Sequence, residues 1–471
     1  MKKVKEFFKD NDLMKIIIIV FLFLVVLTWI IPGGAYSGTS FVDYGYNRFG
    51  INDIFVSGVY AINYFLPHLT FLIVIGVFYG VLSKVPGYAT LVNKVTKWMK
   101  GKEVVVAVCT SVIIAAAASM FTTPFALLVF IPFIITVFTN VKFDKISAFC
   151  ITFGSILIGL LGSTVNNELL NVTNYLSVGF DALLFVKVAV ILVALILFNF
   201  FAIGRFKNSL KDKKAEVAED MFVVEDTKSK AKAWPVVVIF AVIAILQVLA
   251  YVDWNGVFGI EVFNNFHTWL MNLSIGEFEV FASILGQTTE EAIFGTWDLF
   301  TFQTVLLVAT VIFAFMAGRK ETLNAALNGA KKMLKPVLMV LMIYCVLVVV
   351  YWTPFTSTIY SWILGLSDKF NVFITSIVGL IAGLFNPDYS LTGMQVGSYF
   401  ASAFGDYGDI TTLVLTATNG LMKMFTPVSV FLMIGLSYLG ISYKSWFKYI
   451  WKFVVGMLVM LLIIFALITY M

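Results

Sequence analysis

The sequence predicts an all-α polytopic membrane protein organised as two inverted repeats, and three observations predict it. Of 471 residues, 60% are hydrophobic and 13% charged, with a mean hydropathy of +0.96. A soluble domain is nearer half apolar and a quarter charged, so a bilayer must be the solvent for much of this surface. The apolar residues fall in long runs separated by short basic clusters. Four further apolar stretches are interrupted by Pro, Gly, Ser, Thr or Asn, and they recur in the same order in the two halves.

Each full span needs about 20 apolar residues. The runs 14–32, 63–84, 144–162, 181–204, 234–252, 299–318, 335–352 and 447–469 meet that need. The interrupted stretches are 103–138, 163–180, 371–404 and 409–440. The Lys-rich start followed by an apolar run has the look of a signal peptide. Trp29-Ile30-Ile31-Pro32 is no small-residue cleavage site, so the run reads as a retained first span.

Basic residues orient the spans. Lys2, Lys3, Lys5 and Lys9 place the N-terminus in the cytoplasm, and the loop with Arg48 lies outside. Lys84, Lys94, Lys97, Lys100 and Lys102 are inside, as are Lys142 and Lys145. A segment 103–138 that starts and ends on one face reads as two short spans or a re-entrant hairpin tipped at Ser119–Pro124. The charged stretch 205–232 is a cytoplasmic linker, and the acidic loop 253–298 lies outside. The stretch 371–404 then enters from outside and returns, tipped at Asn386–Gly393. Lys444, Lys448 and Lys452 put the next turn inside and the C-terminus outside, in the plasma membrane.

The organisation is therefore a first repeat over 1–204, the linker 205–232, and a second repeat over 233–471. The first holds an inner hairpin at 103–138, a broken helix at 144–180 and a closing span at 181–204. The second holds the outer loop 253–298, an outer hairpin at 371–404, a broken helix at 409–440 and a last span at 447–469. Two repeats of opposite orientation are a common transporter plan.

Irregular backbone at membrane depth is tolerated inside protein or beside a water-filled cavity. The two tips and two breaks, at Gly162–Glu168 and Thr416–Pro427, are thus the candidate site. Half-helix N-termini face carboxylates with free N–H groups, and half-helix C-termini face cations with carbonyls. The candidate ligands are Ser119, Thr122, Thr123, Asn166, Asn167, Glu168, Ser390, Thr392, Gly393, Asn419, Lys423 and Thr426. The blander reading is that these hydroxyls bond their own helix carbonyls. Lys423, lying between two apolar runs, pairs with a substrate carboxylate or stands in for a coupling cation, unless it snorkels. Glu168 is a proton or cation site, a partner for Lys423, or a solvated loop acid. Asp388 at the second tip is a weaker candidate. His68 and His267 read as interfacial, and Lys187 as snorkelling.

Several classes are excluded. There is no GxxxxGK[ST], no HExxH, no TVGYG-like filter and no Arg-rich voltage-sensor helix. With two histidines and three cysteines inside apolar runs, neither a metal centre nor a disulfide framework is expected. No enzymatic activity, resident cofactor or nucleic-acid partner is expected. The basic excess of +5 is explained by topology.

The chain resembles the YfcC-type branch of the anaerobic dicarboxylate carriers, within the ion-transporter superfamily. The resemblance opens at Leu27–Gly34, runs through Ala118–Phe133 and Phe153–Asn166, and is clearest from Asn386 through Thr426-Pro427-Val428-Ser429 to Ser442–Lys448. It implies a scaffold domain and a transport domain, elevator-type alternating access and a homodimer. It further implies secondary transport of a small carboxylate-bearing metabolite, a dicarboxylate or an amino acid, by symport or antiport coupled to Na⁺, H⁺ or a counter-substrate. The chain departs from relatives with Thr122 and Thr123 where they carry a Glu pair, and Lys423 falls near their Gly-Asp-Gly…Asn run. Those departures shift the expectation toward an anionic or zwitterionic substrate. A passive channel or a non-transporting membrane scaffold are the alternatives.

Overall fold

The computed structural model describes residues 11–211, 216–218, 221–222, 224, 229–285, 293–318 and 322–470. The basic cluster Lys2–Lys9, the linker charges Lys213, Lys214, Glu219, Asp220, Glu225 and Asp226, the acids Glu290 and Glu291, and Arg319 and Lys320 lie outside the described residues.

The chain opens with α1 (Asp12–Ile30), which stops before Pro32 and leads into a hairpin of β1 (Gly33–Ser37) and β2 (Ser40–Gly45). Gly38, at φ +58°, makes the left-handed turn between them. α2 (Ile51–Leu82) begins twelve residues before the expected span at 63, because Asp53 caps Gly50 N at 2.7 Å and starts the helix early. Pro67 has no N–H to donate, and α2 kinks at Phe65 (φ −117°, ψ 22°). After α3 (Pro86–Met99) comes α4 (Glu103–Met120), which stops at Phe121. A 3₁₀ turn over Pro124–Val129 and α5 (Ile131–Asn140) return the chain. α6 (Lys145–Phe149) passes through a π turn into α7 (Ser155–Leu161). Irregular backbone over 162–166 then precedes α8 (Asn167–Leu176), and α9 (Leu184–Ser209) follows.

Beyond the linker run α10 (Trp234–Tyr251), α11 (Val262–Met271), the short strands β3 (Ser274–Ile275) and β4 (Phe278–Glu279), α12 (Val280–Leu285) and α13 (Leu299–Ala317). α14 (Thr322–Trp352) starts well before the expected span at 335. It is followed by α15 (Phe355–Leu364), α16 (Val372–Phe385), α17 (Tyr389–Ala403), α18 (Gly408–Lys423), α19 (Val430–Leu439) and α20 (Tyr443–Tyr470). Among the described residues eight helices are long and apolar enough to cross a membrane: α1, α2, α4, α9, α10, α13, α14 and α20. The expected span at 144–162 is a continuous apolar helical run over Lys145–Leu161, through α6, the π turn and α7, a little shorter than the eight.

Two expected breaks are narrower or later than their expected ranges. The second tip spans Asn386–Asp388, and Ser390, Thr392 and Gly393 lie inside α17, which Asp388 starts by accepting from Ser390 N at 2.8 Å. The Thr416–Lys423 run is helical, and the irregular backbone follows it at 424–429. Thr416 and Thr418 turn their hydroxyls back to Thr412 O and Val414 O, each at 2.6 Å, so the hydroxyls support the helix they were expected to interrupt.

Packing sorts the helices into two groups. α2 lies along α14, with α1 and α13 against the pair. The approach is close because small residues meet: a Cβ at Gly329 would sit 2.0 Å from Gly76 O, and one at Gly80 would sit 2.3 Å from Ala325 O. In the second group α16 packs on α18, α17 on α8, and α7 on both α4 and α18. There Gly420 approaches the backbone of Leu161, and Gly397 that of Tyr175. Outward faces remain apolar, as at Phe185, which is 90% exposed, and at Phe200 and Phe315. That surface is stable against lipid and not against water.

Candidate functional site

The breaks converge on one cavity of ≈240 Å³. Thr122, Thr123, Pro124 and Phe125 come from the break after α4; Asn167, Glu168 and Asn171 from the first turns of α8; Pro387, Asp388, Tyr389 and Ser390 from the second tip. α18 adds Thr416, Asn419, Gly420 and Lys423, and α2 and α14 close the wall with Phe65, His68 and Tyr344.

The second tip is held by a charged group at each end. The Lys423 ammonium donates to Asn386 O and, at 2.6 Å, to Pro387 O, at the C-terminal end of α16. Glu168 Oε2 accepts from Tyr389 N at 3.1 Å, at the N-terminal end of α17. Each charge thus sits at the helix end whose dipole it complements. Ser390 Oγ accepts from Asn171 Nδ2 at 3.2 Å, tying α17 to α8. Tyr389 is buried, and its hydroxyl shares a hydrogen bond with Thr416 Oγ1 at 2.8 Å.

Seven of the twelve candidates line the cavity: Thr122, Thr123, Asn167, Glu168, Ser390, Asn419 and Lys423. The other five stand behind it. Ser119 O accepts from Thr164 N at 3.1 Å and from Thr164 Oγ1 at 3.0 Å, joining α4 to the 162–166 break. Asn166 caps α8 through Leu169 N at 3.0 Å and donates to Ser163 Oγ at 2.6 Å. Thr392 accepts from Asn386 Nδ2 at 3.2 Å. Gly393 lets α17 approach Val172 of α8, and Thr426 donates to Leu384 O at 2.9 Å.

Two groups in the wall were not expected there from sequence. His68, read as interfacial, is half-buried and edge-on to Phe125 with ring centroids 4.8 Å apart. Phe65 stacks on Tyr344 at 3.8 Å. The signal for the first was Pro67, which interrupts an apolar run beside His68; Tyr344 had none. Lys187 does not snorkel: it is buried and donates to Phe180 O at 3.2 Å. Two buried polar atoms in the wall, Asn419 Nδ2 and His68 Nδ1, have no protein partner. In a dry core each would be unfavourable; beside a cavity they are free to meet a solute or water.

An adjoining cavity of ≈490 Å³ shares Phe65, Asn171, Asp388 and Ser390 and extends to Tyr64, Tyr351 and Trp352. Asn47, just beyond β2, donates to Trp352 O at 2.8 Å at the edge of this lining. The larger cavity of ≈810 Å³ lies apart, around Asp144, Arg205 and Ser442. Its charges satisfy each other: Asp144 Oδ1 accepts from Arg205 Nε at 2.9 Å and from Ile146 N at 3.1 Å. It reads as structural. Among the described residues no group of His, Cys, Asp and Glu could hold a metal ion.

Eight membrane-length helices and a cavity lined by helix ends are the makings of a membrane transporter. The chain belongs to the C4-dicarboxylate anaerobic carrier (DcuC) family, whose model matches residues 62–470. The family is one of carriers. Among solved structures, the YdaH transporter of Alcanivorax borkumensis is similar at 11% identity, covering 96% of this chain and 97% of that one with a TM-score of 0.46. MtrF of Neisseria gonorrhoeae, described with a class of antimetabolite efflux pumps, is similar at 12% identity over 96% and 94%, with a TM-score of 0.40. No curated protein matches the chain.

Proposed function

We propose that this protein is a secondary active transporter of a small carboxylate-bearing metabolite, working by elevator-type alternating access. The observation that supports it most is the joining of two helix breaks at one cavity between Glu168, Lys423 and Asn419. At ≈240 Å³ the cavity is below the roughly 300–1,000 Å³ of sites for drug-sized ligands, which suits a small metabolite.

An amino acid is the favoured substrate. The cavity has two carboxyl groups, Glu168 and Asp388, against the single amine of Lys423, which already engages two carbonyls. The rings of Phe65, Phe125 and Tyr344 also line the cavity, a surround that favours an ammonium group. A four-carbon dicarboxylate is the second reading, favoured by the family's description. For motion, the α2–α14 pair serves as the scaffold, and the group around α4, α7, α8 and α16–α18 carries the site. The two repeats over 1–204 and 233–471, a homodimer, a cytoplasmic N-terminus and an external C-terminus belong to the same reading.

Uptake by the purified protein in proteoliposomes tests it, with a panel of labelled aspartate, arginine, serine and succinate. Saturable, counter-substrate-stimulated uptake of at least one solute is expected. Non-saturable flux of all of them would indicate a channel, and no flux in any arm would indicate a scaffold.

A further inference from the structure

A helix that ends inside a membrane protein leaves carbonyls without donors and the negative end of its dipole exposed, and such ends commonly coordinate the coupling ion of a carrier. α16 and α4 both end this way beside the cavity. At α16 the oxygens are taken by the protein itself: Leu384 O by Thr426 Oγ1 at 2.9 Å, and Asn386 O and Pro387 O by Lys423. At α4, Ala117 O accepts from Phe121 N at 2.8 Å, and Ser119 O from Thr164 N at 3.1 Å and Val165 N at 3.3 Å. The oxygens that Lys423 meets, two main-chain carbonyls, are hard donors of the kind an alkali cation takes.

We propose that the Lys423 ammonium is a tethered cation in the seat of a coupling ion, so that the carrier runs without Na⁺. This rests on the transporter reading above. Lysine suits the role because it is a compact charge with three donors, and two of them already meet carbonyls. Its position on the last residue of α18 keeps the charge with the second tip wherever that tip moves. Uphill transport then draws on solute exchange or protons.

The test uses the full chain, purified and reconstituted, with NaCl replaced by choline chloride at equal ionic strength. The wild-type melting temperature is expected to be the same in both salts, and its uptake of the panel solutes equal with either salt outside. Lys423→Ala and Lys423→Met vacate the seat; both are expected to melt lower in choline chloride and to regain several degrees with Na⁺, saturably, because an ion that binds only the folded state stabilises it. Lys423→Arg, which keeps the charge, is expected to stay indifferent to Na⁺. A Na⁺-specific rise in the wild-type melting temperature or uptake overturns the proposal, as does a monodisperse Lys423→Ala or Lys423→Met protein that gains nothing from Na⁺. Should neither variant fold, the wild-type comparison decides. Absence of all uptake would overturn the transporter reading alone, since the melting comparison does not depend on transport.

Discussion

Glu168 and Tyr389 lie 221 residues apart, yet the Glu168 carboxylate accepts the main-chain N–H of Tyr389 at 3.1 Å. One bond joins the start of α8 to the start of α17, and so links the two halves of the chain at the cavity. Ser390 and Pro387, to either side of Tyr389, are held as well, the first by the cap of Asp388 and the second by Lys423.

Glu168→Gln keeps an acceptor near Tyr389 N and removes the charge. The lost helix-end interaction is worth about 0.3–1 kcal/mol, so folding should survive. Uptake is expected to fall at least about tenfold, the factor that 1.4 kcal/mol of lost solute binding represents. Initial rates in proteoliposomes, beside melting curves of the same preparation, check both halves of the expectation.

Asn419→Ala removes a buried amide whose nitrogen has no protein partner. A structural asparagine would be missed by the fold. This one is expected to leave the melting temperature unchanged or raised, while the KM of uptake rises several-fold. A lowered melting temperature with unchanged KM would make Asn419 a packing residue.

Gly329→Val places methyl groups where α2 already lies, with even the Cβ only 2.0 Å from Gly76 O. Overpacking of this kind typically costs about 1–3 kcal/mol or more, and here backbone must move to relieve it. A lower melting temperature and loss of monodispersity on size exclusion are expected. Gly204→Ala, with open space around its Cβ position, is the matched control and should behave as wild type.

Tyr44→Cys and Ser445→Cys, in a protein whose Cys109, Cys150 and Cys345 are replaced by serine or alanine, report on orientation. Tyr44 is exposed on β2 and Ser445 lies in the first turn of α20. A membrane-impermeant thiol reagent added to intact cells should label the first; the second should need permeabilisation. The reverse pattern would invert the topology.

Much of the fold was legible because lipid demands long apolar runs, and the eight membrane-length helices include most of the spans expected. The break at 162–166 was legible because Gly162, Ser163 and Thr164 precede the helix cap Asn166. The break after α18 was placed too early, at Thr416, since Thr, Asn and Gly have two uses. A Thr hydroxyl can bond back to the helix, as Thr418 does to Val414 O, and the small size of Gly admits a neighbour, as Gly420 admits Leu161. Thr392 and Gly393 were misplaced for the same reason. Lys423 stood out because a charge among apolar residues is conspicuous. His68 and Tyr344 did not, because only the kink of α2 and the packing of α14 bring them to the wall.

The central claim, that solute binds in the cavity at the second tip, is tested most directly by protection of Ser390→Cys from alkylation in the cysteine-free protein. Addition of whichever panel solute the protein transports is expected to slow labelling at position 390 with saturable dependence on solute concentration, and to leave labelling of Ser442→Cys, in the separate cavity near Arg205, unchanged. Unaltered labelling at 390, with protection at 442 instead, would contradict the account.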